Sequence, residues 1–156
     1  MEICNTTLSA CYELNERIAA EVFEALPECA PLVAIFDHEG HRWASDEEAF
    51  ARLNLDDDLL ADLRAKVDDG AEPAAVQVGD IGVAMMQLAT EHTKCGYFIL
   101  ATSRCGQDAA PWALDVTEVL VSLVALTARW IEKDRMSWEL ETKRFGSYHS
   151  AVALTN

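Results

Sequence analysis

Apolar residues recur along this chain with two different periods, and the periods divide it into helices and strands. From Thr6 to Leu26, the residues Leu8, Cys11, Leu14, Ile18, Val22 and Leu26 fall at steps of three and four, the spacing of one helical face. Pro27 and Pro31 bracket the exit, and Leu32–Phe36 is an apolar run of strand length. Asp37-His38-Glu39-Gly40 has the composition of a tight turn, so His41–Ala44 is expected to return as the second arm of a hairpin. Ser45 is placed to cap a short helix with Glu48 as its reciprocal partner, and Phe50 and Leu53 give that helix an inner side. Asn54-Leu55 interrupts it. Asp56 opens a second helix, Asp57–Val67, with Leu59, Leu60 and Leu63 inward and Asp68-Asp69-Gly70 as its close. Ala74–Val78, Ile81–Ala89 and Cys95–Ser103 read as three strands, joined by the hairpin signal Gly79-Asp80 and by the polar loop Glu91–Lys94.

The last helix, Pro111 to about Arg144, organises the rest. Pro111 suits a first turn, and Asp115 and Glu118 suit the positive end of a helix dipole. A half-buried helix needs an apolar stripe of roughly 100°. Here Val116, Val119, Leu120, Leu123, Val124, Leu126, Trp130 and Ile131 cover more than that. Two partners are therefore expected, the sheet on one side and a second helix on the other. Past Arg129 the residues become mostly charged, leaving Ile131, Trp138, Leu140 and Phe145 as the main apolar ones. The helix should leave the globular body as a solvated rod. The predicted class is α+β: one five-stranded antiparallel sheet, terminal helices on one face and the two short helices on the other. Residues 1–135 form the expected domain and 136–156 a helical extension. Met1 reads as a natural start, and the tail Gly146–Asn156 as a lead into a following output domain.

Composition narrows the function classes. With 156 residues, 51% of them hydrophobic, the chain is one domain with a real core. Its formal charge of −15 is concentrated in residues 1–80, which hold five basic against nineteen acidic residues. Such a half repels phosphate backbones and anionic lipid, so neither nucleic acid nor a membrane surface is an expected partner. The longest charge-free run of the last helix, Val119–Ala128, is ten residues; a bilayer span needs about 20. The five cysteines follow no C-x-x-C spacing, and no basic leader precedes them. Reduced thiols in the cytoplasm follow from that.

The hairpin Pro31-Leu-Val-Ala-Ile-Phe-Asp-His-Glu-Gly40, the strand Ile81–Leu88, the strand Gly96-Tyr-Phe-Ile-Leu-Ala101 and the helix Asp115–Glu132 together resemble a compact GAF domain, a ligand-sensing module whose sheet topology is shared with PAS domains and is profilin-like. The likeness covers roughly residues 8–135. It implies a pocket between the sheet and the middle segment, a homodimer made by the terminal helices, and a C-terminal helix passing a signal to an output domain in signal transduction or transcription control. The segment between the second and third strands is too short to roof a bilin, and the residues that mark cyclic-nucleotide binders are missing, so the cofactor stays open. The roadblock/dynein-light-chain adaptor has a similar outline and is the alternative; its central helix is continuous, whereas Asn54-Leu55-Asp56 breaks this one.

Candidate chemistry is sparse. His38 and His41 lie three apart beside Asp37 and Glu39, but a metal needs three or four converging ligands and strand residues three apart diverge. Exposed turn residues, and no metal, are the expectation; His92 reads the same way. Cys95 and Cys105 flank the last strand, about 33 Å apart if extended, too far for a disulfide. Cys4 and Cys11 could share a helix face. Some GAF-like proteins reduce free methionine sulfoxide with cysteine pairs over the pocket, which this spacing does not supply. The enzyme reading is therefore third, and no catalytic residue is assigned. No Ser-His-Asp set or P-loop occurs, and Asp56-Asp57-Asp58 lacks the spaced ligands of a calcium loop. For a ligand pocket, Gln87 is the polar exception on a central strand. With Met85, Trp43, Phe50 and Phe98 it forms the expected lining, against the plain alternative that these residues fill the core. The expected dimer contacts are Leu120, Val124, Ile131 and Trp138.

Overall fold

The computed structural model describes residues 9–102 and 109–153, with the side chains of the last helix placed from Ala110 to Phe145. Helix α1 spans Ala10–Ile18 and continues as a π-helical turn over Ala19–Phe23. The hairpin β1 (Leu32–Phe36) and β2 (Arg42–Ala44) follows, then the short helices α2 (Glu47–Arg52) and α3 (Asp57–Asp68). Strands β3 (Ala74–Val78), β4 (Ile81–Ala89) and β5 (Lys94–Thr102) lead to α4 (Ala109–Ala153). Leu8, Cys4, Ser103 and Cys105, which entered the expectations above, lie outside the described residues.

The strands form one antiparallel sheet in the order β2-β1-β5-β4-β3, with β5 at its centre. This is the α+β arrangement that the periodicity predicts. Alternation along each strand sorts the core into two layers. Val33, Ile35, Ala84, Phe98 and Leu100 pack against Leu14 and Ile18 of α1 and Val121, Val124 and Ala128 of α4. Ala34, Phe36, Val83, Met85 and Ile99 pack against Phe50 of α2 and Leu60, Leu63 and Val67 of α3.

Two local expectations shift. The cap of α2 is Asp46, not Ser45: the Asp46 carboxylate accepts from the Ala49 amide at 2.8 Å. Glu47 reaches back to accept from the Ala44 amide at 3.0 Å, while the Ser45 hydroxyl accepts from Val33 N–H at 3.2 Å. The cap thus moves one residue on to a carboxylate at the positive end of the helix, without the reciprocal bond of a capping box, and the serine serves the sheet. The break between α2 and α3 holds, with Asn54 in the left-handed region at φ 46°; asparagine tolerates that conformation better than most residues.

Helix α4 runs 45 residues, longer than expected at both ends. Its inner stripe is Ala113, Thr117, Val121, Val124, Ala128 and Ile131, all buried. Ile131 is the last of them. Another 22 residues to Ala153 carry the helix onward, about 33 Å at 1.5 Å per residue.

Candidate functional site

The five residues expected to line one pocket are divided by the sheet. Phe98 and Trp43 belong to the layer of α1 and α4, Phe50 and Met85 to the layer of α2 and α3. Register explains the division: Phe98 pairs with Met86, and Gln87 with Tyr97, so Phe98 and Gln87 point to opposite faces. Gln87 is exposed and donates to Asp68 at 3.3 Å. Phe50, Met85 and Phe98 are buried core residues and Trp43 is half-buried.

Around Gln87 the structure assembles a group that spacing does not announce. The Tyr97 hydroxyl donates to the Asp68 carboxylate at 2.9 Å, and the Arg64 guanidinium lies over the rings of Phe36 and Tyr97 at 5.5 and 5.7 Å. Burial, followed by the Asp68 charge and hydrogen bond, pushes the Tyr97 phenol above its ordinary range. Asp68, which reads in the sequence as a helix close, thus ties α3 to the sheet.

A second polar group joins α1 to the sheet. Leu88 pairs with Gly96 and Ala89 with Lys94, so Cys95 is the extra residue of a β-bulge. Its carbonyl accepts instead from Asn15 Nδ2 at 2.9 Å and from the Cys11 thiol at 3.3 Å. Asn15 is fully buried, and its Oδ1 has no hydrogen-bond partner among the described residues. Cys11 therefore meets the backbone of Cys95. Burial first, then proximity to Cys11 and Glu132, pushes the Cys95 thiol up to about 12. Burial and the charges of Asp37 and Glu39 raise Cys11 as well. Neither thiol is primed as a nucleophile. The one signal for this group in the sequence is an amide, Asn15, beside Leu14 and one turn before Ile18, where an apolar residue would be routine.

Asp37, Glu39 and His41 offer three ligand atoms within 4.8 Å of one another. The buried Asp37 carboxylate is already engaged: one oxygen accepts from the Glu39 and His41 amides at 2.9 and 2.8 Å, the other contacts His41 Nδ1 at 2.7 Å. Burial alone would raise its pKa, but these hydrogen bonds and the imidazole outweigh burial and hold it below the usual carboxylate range. The geometry is that of a braced turn. Tyr12 of α1 packs edge-on against both His41 and Trp43, each at 5.0 Å, so the brace also positions α1. His38 turns away to Tyr97.

The expected dimer contacts also separate. Val124 and Ile131 are 4% and 2% exposed, taken up by the sheet, and Leu120 is half-buried. Trp138 alone of the four is open to solvent, at 70%. The outward stripe is instead Val119, Leu123, Leu126 and Trp130, all exposed. Phase explains the change: the sheet takes the helix face centred on Val121 and Val124, and residues two positions away fall on the far side. Two grooves flank α4 where it leaves the body. One, of about 240 Å³, lies between α1 and α4 over Leu14 and Ile131; the other, about 470 Å³, runs along Arg129, Lys133, Met136 and Leu140 beside His92. A third, about 420 Å³, opens at the far end of the sheet between Leu32, Leu53, Thr102 and Trp112. None of these reaches Trp43, Phe50, Met85, Gln87 or Phe98. By length and composition, α4 from Ala110 to Phe145 would also suffice to cross a membrane, which the charge-free run did not predict.

No protein-family model matches the chain, and no curated protein or solved structure matches it at a significant level.

Proposed function

We propose that this chain is a GAF/PAS-type sensory or regulatory domain of signal transduction or transcription control, acting in the cytoplasm as a homodimer with α4 as its output. The observation that carries the reading is the construction of α4. One helix is seated chiefly on β4, reaches as far as Ile131 on the body and runs on for 22 residues, so a change in sheet packing moves a lever outside the body. The sheet order β2-β1-β5-β4-β3, with helices on both faces, is compatible with the GAF/PAS topology. The Asn54 break between α2 and α3 favours it over the roadblock-type adaptor, whose central helix is continuous. With Trp43, Phe50, Met85, Gln87 and Phe98 distributed over both faces, a small-molecule ligand is better accommodated by the 420 Å³ groove beside Trp112. That volume falls within the usual ligand-site range of about 300–1,000 Å³. A ligand acts by binding one packing arrangement better than the other. The protein carries the signal and performs no catalysis in this reading.

Native mass spectrometry of freshly purified protein tests it. A dimer with retained small-molecule mass supports the sensor; a dimer without one shifts weight to the adaptor. A strictly monomeric, ligand-free species overturns both dimer and sensor.

A further inference from the structure

Val119, Leu123, Leu126 and Trp130 face solvent at successive steps of four, three and four residues, the repeat with which one helix packs along another. We propose that this seam receives the α4 of a second copy, and that the two helices run parallel and in register. The inference rests on the dimer proposed above and specifies its geometry.

Area argues for a second copy. At roughly 100 Å² for each half-exposed aliphatic side chain and about 150–200 Å² for an indole, the seam with Leu140 offers on the order of 600 Å² per copy, near the ~800 Å² per partner of a standard interface. A bilayer would suit the same apolar stripe, but inserting α4 would strip Val121, Val124, Ala128 and Ile131 from the sheet and leave that face bare.

Charge selects the orientation. Continued past Trp130, the alternation reaches Lys133, Ser137 and Leu140. Arg129 immediately precedes one seam position and Asp134 immediately follows another. In a parallel, in-register pair the residue before a seam position faces the residue five further on in its mate, so Arg129 meets Asp134 of the second copy, twice by symmetry. An antiparallel pair overlapping along the same seam sets like flank against like, so that either Arg129 meets Arg129 of the mate or Asp134 meets Asp134, according to the overlap. Arg129 and Asp134 make no ion pair with described residues of their own chain, whereas the nearby Arg135 is taken up by Glu13 and Glu139. Both extensions then leave the two bodies from the same end, side by side.

Analytical ultracentrifugation of the full chain over a concentration series tests this, with far-UV circular dichroism as a fold check. Leu126→Glu, at an exposed position, should give a folded monomer. Arg129→Asp and Asp134→Arg should each weaken self-association about tenfold by turning two attractions into two repulsions, and the double variant should recover to within about threefold of wild type. A wild-type dimer indifferent to Leu126→Glu overturns the seam. A dimer lost with Leu126→Glu, but with no loss in either charge variant or no recovery in the double, overturns the parallel register and leaves the dimer standing. A monomeric wild type overturns both, and its co-flotation with phosphatidylcholine vesicles would assign the stripe to lipid instead.

Discussion

Replacing Gly96 with alanine should destabilise the domain more than the same change at Gly40, Gly70 or Gly79. Gly96 follows the bulged Cys95 with φ +117°, and a Cβ there would meet the Phe36 carbonyl oxygen at 2.0 Å and Asp37 Cα at 2.8 Å. Two costs combine. Holding an alanine in a backbone region that L-residues rarely adopt costs roughly 1–3 kcal/mol. Relieving the overlap means moving β1 away from β5 by about an ångström, at the expense of strand hydrogen bonds near Phe36 and Tyr97 worth about 1 kcal/mol net each. The expected loss is about 3–5 kcal/mol, a large share of the 5–15 kcal/mol of a typical domain. Because Asp37 lies against the same glycine, the braced turn and its contact with Tyr12 should loosen too. Urea unfolding followed by tryptophan fluorescence measures the loss. Gly79→Ala is the control: its φ is +59° and nothing lies within 4 Å of the added methyl, so only about 1 kcal/mol should be lost. If Gly96→Ala and Gly79→Ala cost the same, the close approach of β1 and β5 and the bulge argument with it are wrong.

Three further outcomes are expected. Asn15→Ala removes the amide that satisfies the bulge carbonyl and should cost about 1–2 kcal/mol in chemical denaturation, reduced by relief of the unpartnered Oδ1; an unchanged midpoint would refute that role. Asp37 has a depressed folded-state pKa, so its stabilisation is present above the ordinary carboxylate value near pH 4 and is lost as pH falls through the lower folded value. Asp37→Asn should therefore lower the urea midpoint at pH 7, with the gap to wild type narrowing as the pH is taken below the ordinary carboxylate value; a gap that widens on acidification reverses the argument. With its pKa at about 12, Cys95 should resist iodoacetamide at pH 8 in the folded protein while the exposed Cys29 reacts. Peptide mapping that shows equal labelling would place Cys95 at the surface.

Order and type of the elements were legible in the sequence because periodicity is a short-range property. The strands Leu32–Phe36, Ala74–Val78 and Ile81–Ala89 coincide with those observed, and Asn54 interrupts the middle helices as its neighbours suggested. An alternating strand says that Met85 and Met86 oppose one another, but not which helix each will meet. Facing is set by register between strands distant in sequence, which is why Gln87 and Phe98 were grouped although the sheet separates them. The double apolar surface of α4 was visible as an excess of hydrophobic positions. Which half faces inward depended on the phase at which the helix seats on the sheet, and that phase buries Val124 and Ile131 while leaving Val119, Leu123, Leu126 and Trp130 outside. The bulge at Cys95 belongs to the same class of fact: a carbonyl without a strand partner arises from a one-residue mismatch between β4 and β5, and α1 comes near enough to satisfy it only after the sheet has formed.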